Sequence, residues 1–228
     1  MSEEHNYDLV VVGGGPAGSS AAFTAAKNGI KVALIEKENS IAETVRTSGV
    51  TWIESIKEFG IPDDCYNPIK NFSFVSPNNE VTIKDSIPTA AVLDVRKTYR
   101  WLAHEAEREG TDIFLKININ EVIKNENNDI IGVSGTGPNG KITFHSKIVI
   151  DATGFTSTIS KAMGFVTQWK RFGAGAEYEA TVENSDPDTW WLMVGQEYTP
   201  AGYAWIFPLG NNIVRIGVGV GKPESDVD

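Results

Sequence analysis

Cysteine and histidine are scarce in this 228-residue chain, with one of the first and three of the second. A single thiol, Cys65, excludes an intrachain disulfide and gives no sign of an oxidising compartment. His5, His104 and His145 are scattered, with neither metal-ligand spacing nor the makings of a nucleophilic triad. That reading leaves no metal site. Basic residues are outnumbered, 20 against 30 acidic, for a formal net charge of −10. With no Lys/Arg cluster to offset it, this balance disfavours non-specific nucleic-acid binding. Residues 1–6 lack a basic leader and the first apolar run is only a strand long, so the start reads as neither signal peptide nor membrane span. Repeats and low-complexity tracts are absent. The length allows one large domain or two small ones with a sizeable core.

What is present begins at Tyr7. Leu9-Val10-Val11-Val12 is an apolar run of the kind that forms a buried parallel strand. Gly13-Gly14-Gly15-Pro16-Ala17-Gly18 follows, then a small-residue helical segment from Ser19 to Asn28, stopped by Gly29. A second strand, Lys31 to Ile35, ends in Glu36. Gly13, Gly15 and Gly18 have the spacing G-x-G-x-x-G. In this context the first glycine makes the tight turn, the second lets a pyrophosphate approach the backbone, and the third packs helix on strand. The phosphates sit at the helix N-terminus, against free N–H groups and the positive dipole end. A carboxylate at Glu36 bonds a ribose hydroxyl and repels a 2′-phosphate, which argues against NADP. The motif alone is weak, but strand, helix and acid together supply the context it demands, and the stretch reads as a dinucleotide site.

Further along, Arg46 is open between a cofactor contact and a solvated loop arginine. A helix is expected from Val50 to Gly60. Phe72 to Ile83 reads as a β-hairpin around Ser76-Pro77-Asn78-Asn79 and interrupts the α/β pattern. Asp94 is an expected N-cap for a helix striped by Val95, Tyr99, Leu102, Ala103 and Ala106. Arg96 lies in its first turn, against the dipole, where an anionic partner would give it a reason. Short strands are expected at 112–115, 117–123, 130–133, 142–144 and 147–150, the last running into Asp151-Ala152-Thr153-Gly154. Small residues there make room for a ligand beside the sheet. Thr156, Ser157 and Thr158 offer caps for a short helix. The last third reads as four strands at 174–182, 190–194, 204–207 and 213–220. Its aromatics, Trp190, Trp191, Tyr198, Tyr203, Trp205 and Phe207, form either a packed sheet face or the wall of a substrate pocket.

Assembled, these pieces resemble the geranylgeranyl reductases, FAD-dependent enzymes of the p-hydroxybenzoate hydroxylase-like fold. The matching residues are Gly13 to Gly18, Glu36-Lys37, Val45-Arg46, Arg96 ahead of Trp101-Leu102-Ala103, Asp151 to Gly154, and Gly202 to Gly210. The Tyr203-x-Trp205-x-Phe207-Pro208 stretch is the more family-specific part. The resemblance implies an α/β chain: a Rossmann-like FAD-binding domain at 1–69 and 94–165, with an inserted and following β-rich substrate domain at 70–93 and 166–228. It implies FAD held by Gly13, Gly15, Pro16, Ala17, Gly18, Glu36, Lys37, Arg46, Arg96, Asp151 and Gly154. Tyr203, Trp205, Phe207 and Pro208 would face the isoprenoid or the flavin. The implied activity is reduction of allylic double bonds in geranylgeranyl chains of lipids or pigments. Its electron donor would be ferredoxin or NAD(P)H, its location cytoplasmic, and its membrane contact at most peripheral. Two departures stand out. A Cys-x-Glu-Gly motif of many archaeal members reads Thr47-Ser48-Gly49-Val50 here. The family's third FAD motif, a Gly-Asp pair, is not supplied by residues 208–228, so the expectation is a C-terminally truncated or split member that holds FAD weakly or not at all. The alternatives are a flavin monooxygenase or halogenase of the same superfamily, or a non-catalytic FAD-domain fragment completed by a second chain.

Overall fold

A computed structural model describes residues 3–165, 169–222 and 224–225. In chain order the elements are β1 (Glu3–Val12), α1 (Pro16–Lys27), β2 (Val32–Ile35), β3 (Val50–Trp52), α2 (Ile53–Phe59), β4 (Tyr66–Ile69), β5 (Asn71–Ser76), β6 (Asn79–Lys84) and β7 (Ala90–Leu93). Then come α3 (Val95–Arg108), β8 (Asp112–Phe114), β9 (Asn118–Lys124), β10 (Ile130–Gly137), β11 (Gly140–Asp151), α4 (Thr158–Ala162), β12 (Phe172–Thr181), β13 (Thr189–Val194), β14 (Gly202–Gly210) and β15 (Ile213–Lys222). They divide into two compact units. Unit 1 is Met1–Val45 with Tyr99–Thr167, and unit 2 is Arg46–Thr98 with Gln168–Asp228. Residues 46–69, expected with the nucleotide-binding strands, fall in unit 2. The expected boundary after residue 165 abuts residues 166–168, which lie outside the described residues.

Unit 1 is built on a six-stranded sheet in the order β8-β2-β1-β11-β10-β9. The first four strands are parallel, and β10 and β9 close it antiparallel. The apolar run in β1 is buried on both faces. Leu9 and Val11 pack on Ala22, Ala26 and Ala106, while Val10 and Val12 pack on Ile119, Phe144 and Ile159. This two-sided burial is why the run does not alternate. The strands expected at 142–144 and 147–150 are one strand, β11, because β1 pairs with it in parallel from Glu3–Ile142 to Val12–Asp151. No local residue signals that continuity, since it is imposed by a partner strand far away in sequence. α1 starts at Pro16, three residues earlier than the periodicity predicts, because proline's fixed φ suits the first helical position.

Unit 2 stacks a three-stranded sheet, β3-β7-β4, on a six-stranded one, β12-β15-β14-β13-β5-β6. Ile69, Ala90 and Val92 from the small sheet meet Phe72, Trp190, Trp205 and Phe207 from the large one in a single core. The expected helix at 50–60 is half strand. Val50–Trp52 pairs with Ala90–Val92, and only then does α2 begin, ending at Gly60 in the left-handed conformation (φ 63°). Asp94 does cap α3, its Oδ1 accepting from Lys97 N–H at 3.0 Å.

Candidate functional site

In unit 1 the turn after β1 holds the glycines that the sequence singles out. Gly13 N–H donates to Ile35 O at 2.7 Å, closing the turn, and Gly13 has φ 109°. A Cβ there would overlap the Ala152 carbonyl oxygen, so β1, the turn and the Ala152 backbone meet where no side chain fits. Gly15 is different in kind. It precedes α1 with an ordinary φ of −73°, and a Cβ on it would meet nothing within 4 Å. No side chain caps α1, so the first-turn N–H groups, which have no intrahelical acceptors, are offered to whatever anion arrives. Pro16 and Ala17 are exposed, and Gly18 is buried.

Glu36 reaches back to this turn. Its Oε2 accepts from Gly14 N–H at 2.8 Å and its Oε1 from Glu38 N–H at 3.0 Å. Each carboxylate oxygen keeps a second lone pair for a ribose hydroxyl. Lys37 is exposed. Sequence reasoning missed Arg100. Its Nε donates to Ile41 O at 3.2 Å and its Nη2 to Ser40 Oγ at 3.3 Å, bracing the loop whose Ile41 side chain covers Gly14. A basic residue on the polar face of a helical stripe carries no sequence signal for that role.

Asp151, at the end of β11, is a turn organiser. Oδ1 accepts from Thr153 Oγ1 (2.6 Å) and Thr153 N–H (3.1 Å), and Oδ2 from Ser160 N–H (2.7 Å). The expected caps at 156–158 are not used in that way. Ser157 stands in the left-handed region and makes no cap bond, whereas Thr153 Oγ1 accepts from Thr158 N–H at 2.8 Å. Partial burial pushes the Asp151 carboxyl up, but the bonds from Thr153 and Ser160 outweigh it and hold it below the usual range. Its folded pKa is therefore depressed. The stability it supplies is complete above the unfolded value and is lost as pH falls through the folded one. Asp151→Asn is expected to cost about 2 kcal/mol at neutral pH, the scale of hydrogen bonds to a charged acceptor. Denaturant unfolding should show the two proteins converging as the solution is acidified. Gly154 is exposed with φ 63°.

The remaining predicted residues lie in unit 2. Arg46 and Arg96 are exposed. Trp205 and Phe207 are core residues, 7% and 4% exposed, and Pro208 is buried with them. Tyr203 alone of the four reaches the surface, at 48%. The Trp205 indole lies across β15, where a Cβ on Gly217 would overlap it and one on Gly219 would come within 3.3 Å. Among the described residues no group of His, Cys, Asp or Glu could hold a metal ion, and no helix is long and apolar enough to cross a membrane.

The arrangement in unit 1 fits FAD: an uncapped helix start, an open space over Gly15 that a Cβ would fill, and a carboxylate at the next strand end. The profile of FAD dependent oxidoreductases matches residues 8–183, and that of the geranylgeranyl reductase catalytic domain matches residues 173–227. Digeranylgeranylglycerophospholipid reductases of Methanococcus vannielii and Methanocaldococcus jannaschii are 35% and 34% identical. The matches cover 95% and 94% of this chain but 56% and 55% of the relatives, so the chain spans about half their length. A solved geranylgeranyl bacteriochlorophyll reductase-like protein from Thermoplasma acidophilum superposes with a TM-score of 0.85 at 30% identity, over 95% of this chain and 57% of that one. A flavin-dependent brominase shares the fold, with a TM-score of 0.71 at 21% identity. The chain thus belongs to the FAD-dependent oxidoreductase family, whose cofactor is FAD, and within it resembles the geranylgeranyl reductases.

Proposed function

We propose that this chain carries the FAD-binding and catalytic-domain portion of an oxidoreductase that reduces allylic C=C bonds of geranylgeranyl chains in lipid or pigment biosynthesis. The observation that carries the reading is a coincidence in one chain. The nucleotide cradle of unit 1 is followed by a match to the geranylgeranyl reductase catalytic domain over 173–227. Gly13, Gly15, Pro16, Ala17 and Gly18 would hold the diphosphate by backbone alone, and Glu36 the adenosine ribose, with Lys37 beside it. Asp151 would act through the backbone it shapes, presenting Gly154 without a side chain. The resemblance adds Arg46 and Arg96, both exposed, as further FAD contacts. Of the aromatic stretch, Tyr203 has the exposed ring to face a substrate, while Trp205, Phe207 and Pro208 set the strand beneath it. Reduced FAD supplies the hydride; the protein supplies binding, orientation and exclusion of water. The substrate is an isoprenoid lipid, the electron donor ferredoxin or a nicotinamide, and membrane contact is peripheral.

The test is a flavin titration of the purified chain, followed by photoreduction and anaerobic addition of a geranylgeranyl lipid. Quenched FAD fluorescence and lipid-driven reoxidation are expected. Glu36→Gln should weaken FAD about tenfold, the value of one charge-assisted hydrogen bond, and also lower the melting temperature, because the carboxylate accepts from both Gly14 and Glu38 N–H. Reoxidation by oxygen with an aromatic substrate, and none by the lipid, would move the protein to the monooxygenases or halogenases. FAD uptake that needs a second chain would make this chain half of a site.

A further inference from the structure

The loop after β2 is knit together by its own side chains. Glu38 Oε2 accepts from Thr44 N–H at 2.9 Å, Glu43 Oε2 accepts from Asn39 N–H at 2.7 Å, and Asn39 Nδ2 donates to Glu43 Oε1 at 2.9 Å. Its root is held by the backbone, Glu36 O and Glu38 O accepting from Ile117 and Lys116 N–H at 3.0 Å each. At its tip Ala42 stands at φ 53°, a left-handed conformation that an alanine keeps only where its surroundings enforce it. Ile41 beside it is 7% exposed, and its Cδ1 lies so close to Gly14 that a Cβ on the glycine would overlap it. The same Cβ would come within 3.2 Å of Glu36 Cβ and Oε2. Gly14, Glu36 and Ile41 therefore form one packed contact, at the place where Gly14 N–H bonds Glu36 Oε2. Arg100 reaches the tip of the loop from α3, within the same unit. Its Nε donates to Ile41 O at 3.2 Å and its Nη2 to Ser40 Oγ at 3.3 Å.

A planar fork that serves two acceptors at once fixes direction as well as distance. Glu36 needs that precision. Its two oxygens are already committed, one to Gly14 N–H and one to Glu38 N–H, so a ribose hydroxyl must find the lone pairs that remain. A shift of the loop tip moves Ile41, and with it the packing that holds the carboxylate. We propose that Arg100 is a positioning residue for the adenosine end of FAD: through Ser40 and Ile41 it holds the 38–44 loop against Gly14 and so aligns the Glu36 carboxylate with the ribose hydroxyl. The proposal rests on the cofactor reading above. Its rival is plain attraction between the Arg100 charge and the diphosphate. The two differ in what they discriminate. Charge acts on any nucleoside diphosphate, whereas alignment of Glu36 acts only on one that carries the hydroxyl.

The experiment measures binding of two probes, ADP and 2′-deoxy-ADP, by calorimetry on the purified chain. The proteins are the wild type, Arg100→Gln, Arg100→Lys, Glu36→Gln and the double Glu36→Gln/Arg100→Gln, each with a thermal melt. The wild type is expected to prefer ADP about tenfold, the value of one charge-assisted hydrogen bond. Arg100→Gln should weaken ADP about fivefold and leave 2′-deoxy-ADP nearly unmoved, so that the preference falls to about twofold. Because Arg100 is exposed, its melting temperature should hardly change. Arg100→Lys keeps the charge without the fork and should lose the preference in the same way. In the Glu36→Gln background Arg100→Gln should weaken ADP almost no further, a non-additivity that general destabilisation does not produce. Ile41→Ala uncovers Gly14 while leaving Arg100 in place, and should lose the same preference. Equal weakening of both probes, a preference retained in Arg100→Lys, or full additivity overturns the proposal while leaving the cofactor reading intact. A wild type that binds both probes alike, or neither, overturns the proposal together with the assignment of Glu36 to the ribose.

Discussion

Trp205→Ala is expected to lower the stability of unit 2 by about 3–5 kcal/mol, the range for removing a buried aromatic. The indole is 7% exposed, lies over Gly217, and stacks on Phe207 with ring centroids 6.0 Å apart and planes 16° apart. Trp190 closes the other side of Phe207 at 5.5 Å, so the cavity left behind has walls of rigid rings that cannot collapse into it. A loss of that size shifts a melting temperature by roughly 2–4 °C per kcal/mol in a chain of this length. Calorimetry of the mutant checks it. A shift near zero would mean that Trp205 belongs to a substrate wall rather than the core. Tyr203→Ala is the control: nearly half exposed, it should leave the melting temperature almost unmoved and act on substrate binding alone.

Gly13→Ala and Gly15→Ala are expected to fail in opposite ways, although they lie two residues apart in one motif. At Gly13 the new Cβ overlaps the Ala152 carbonyl, and the backbone stands at φ 109°, which side chains rarely adopt. Strain and overlap together are expected to cost about 2–4 kcal/mol and to abolish FAD binding. At Gly15 the backbone is ordinary and the space empty, so stability should stay within about 0.5 kcal/mol of the wild type. The methyl group would occupy the place of the diphosphate, so FAD should weaken at least tenfold with no change in melting temperature. Thermal melts and flavin titrations of both mutants give the answer. A Gly15→Ala protein that binds FAD normally would remove the phosphate from the N-terminus of α1.

These outcomes divide along the line between what was legible in the sequence and what was not. Leu9–Val12, the three glycines and Glu36 are local: strand, turn, helix and acid follow one another, and the structure adds a bond from Gly14 N–H to Glu36 that the order alone does not announce. Val50–Trp52 has the pattern of a helix start, because its strand partner, Ala90–Val92, lies in another part of the chain. The aromatic stretch was legible as a sheet but not as core or wall, since that depends on the small sheet that covers it. Arg215 is hidden in the sequence for the same reason. Its signal was parity: it shares an inward face with Gly217 and Gly219, where a charge needs buried partners, and those partners come from three distant segments.

The pairing of β1 with β11 along its whole length has a consequence for how the protein is made. The central sheet of unit 1 cannot close until residues 142–151 have left the ribosome, and the large sheet of unit 2 waits for β12–β15 to join β5 and β6. Local hairpins such as β5–β6 and β9–β10–β11 can form early, but the long-range pairings come late and are slow to find. Because the two units interleave in sequence, a chain cut between β7 and α3 would carry half of each and complete neither. During synthesis the nascent chain must therefore keep two unfinished apolar sheets out of reach of each other and of neighbouring chains.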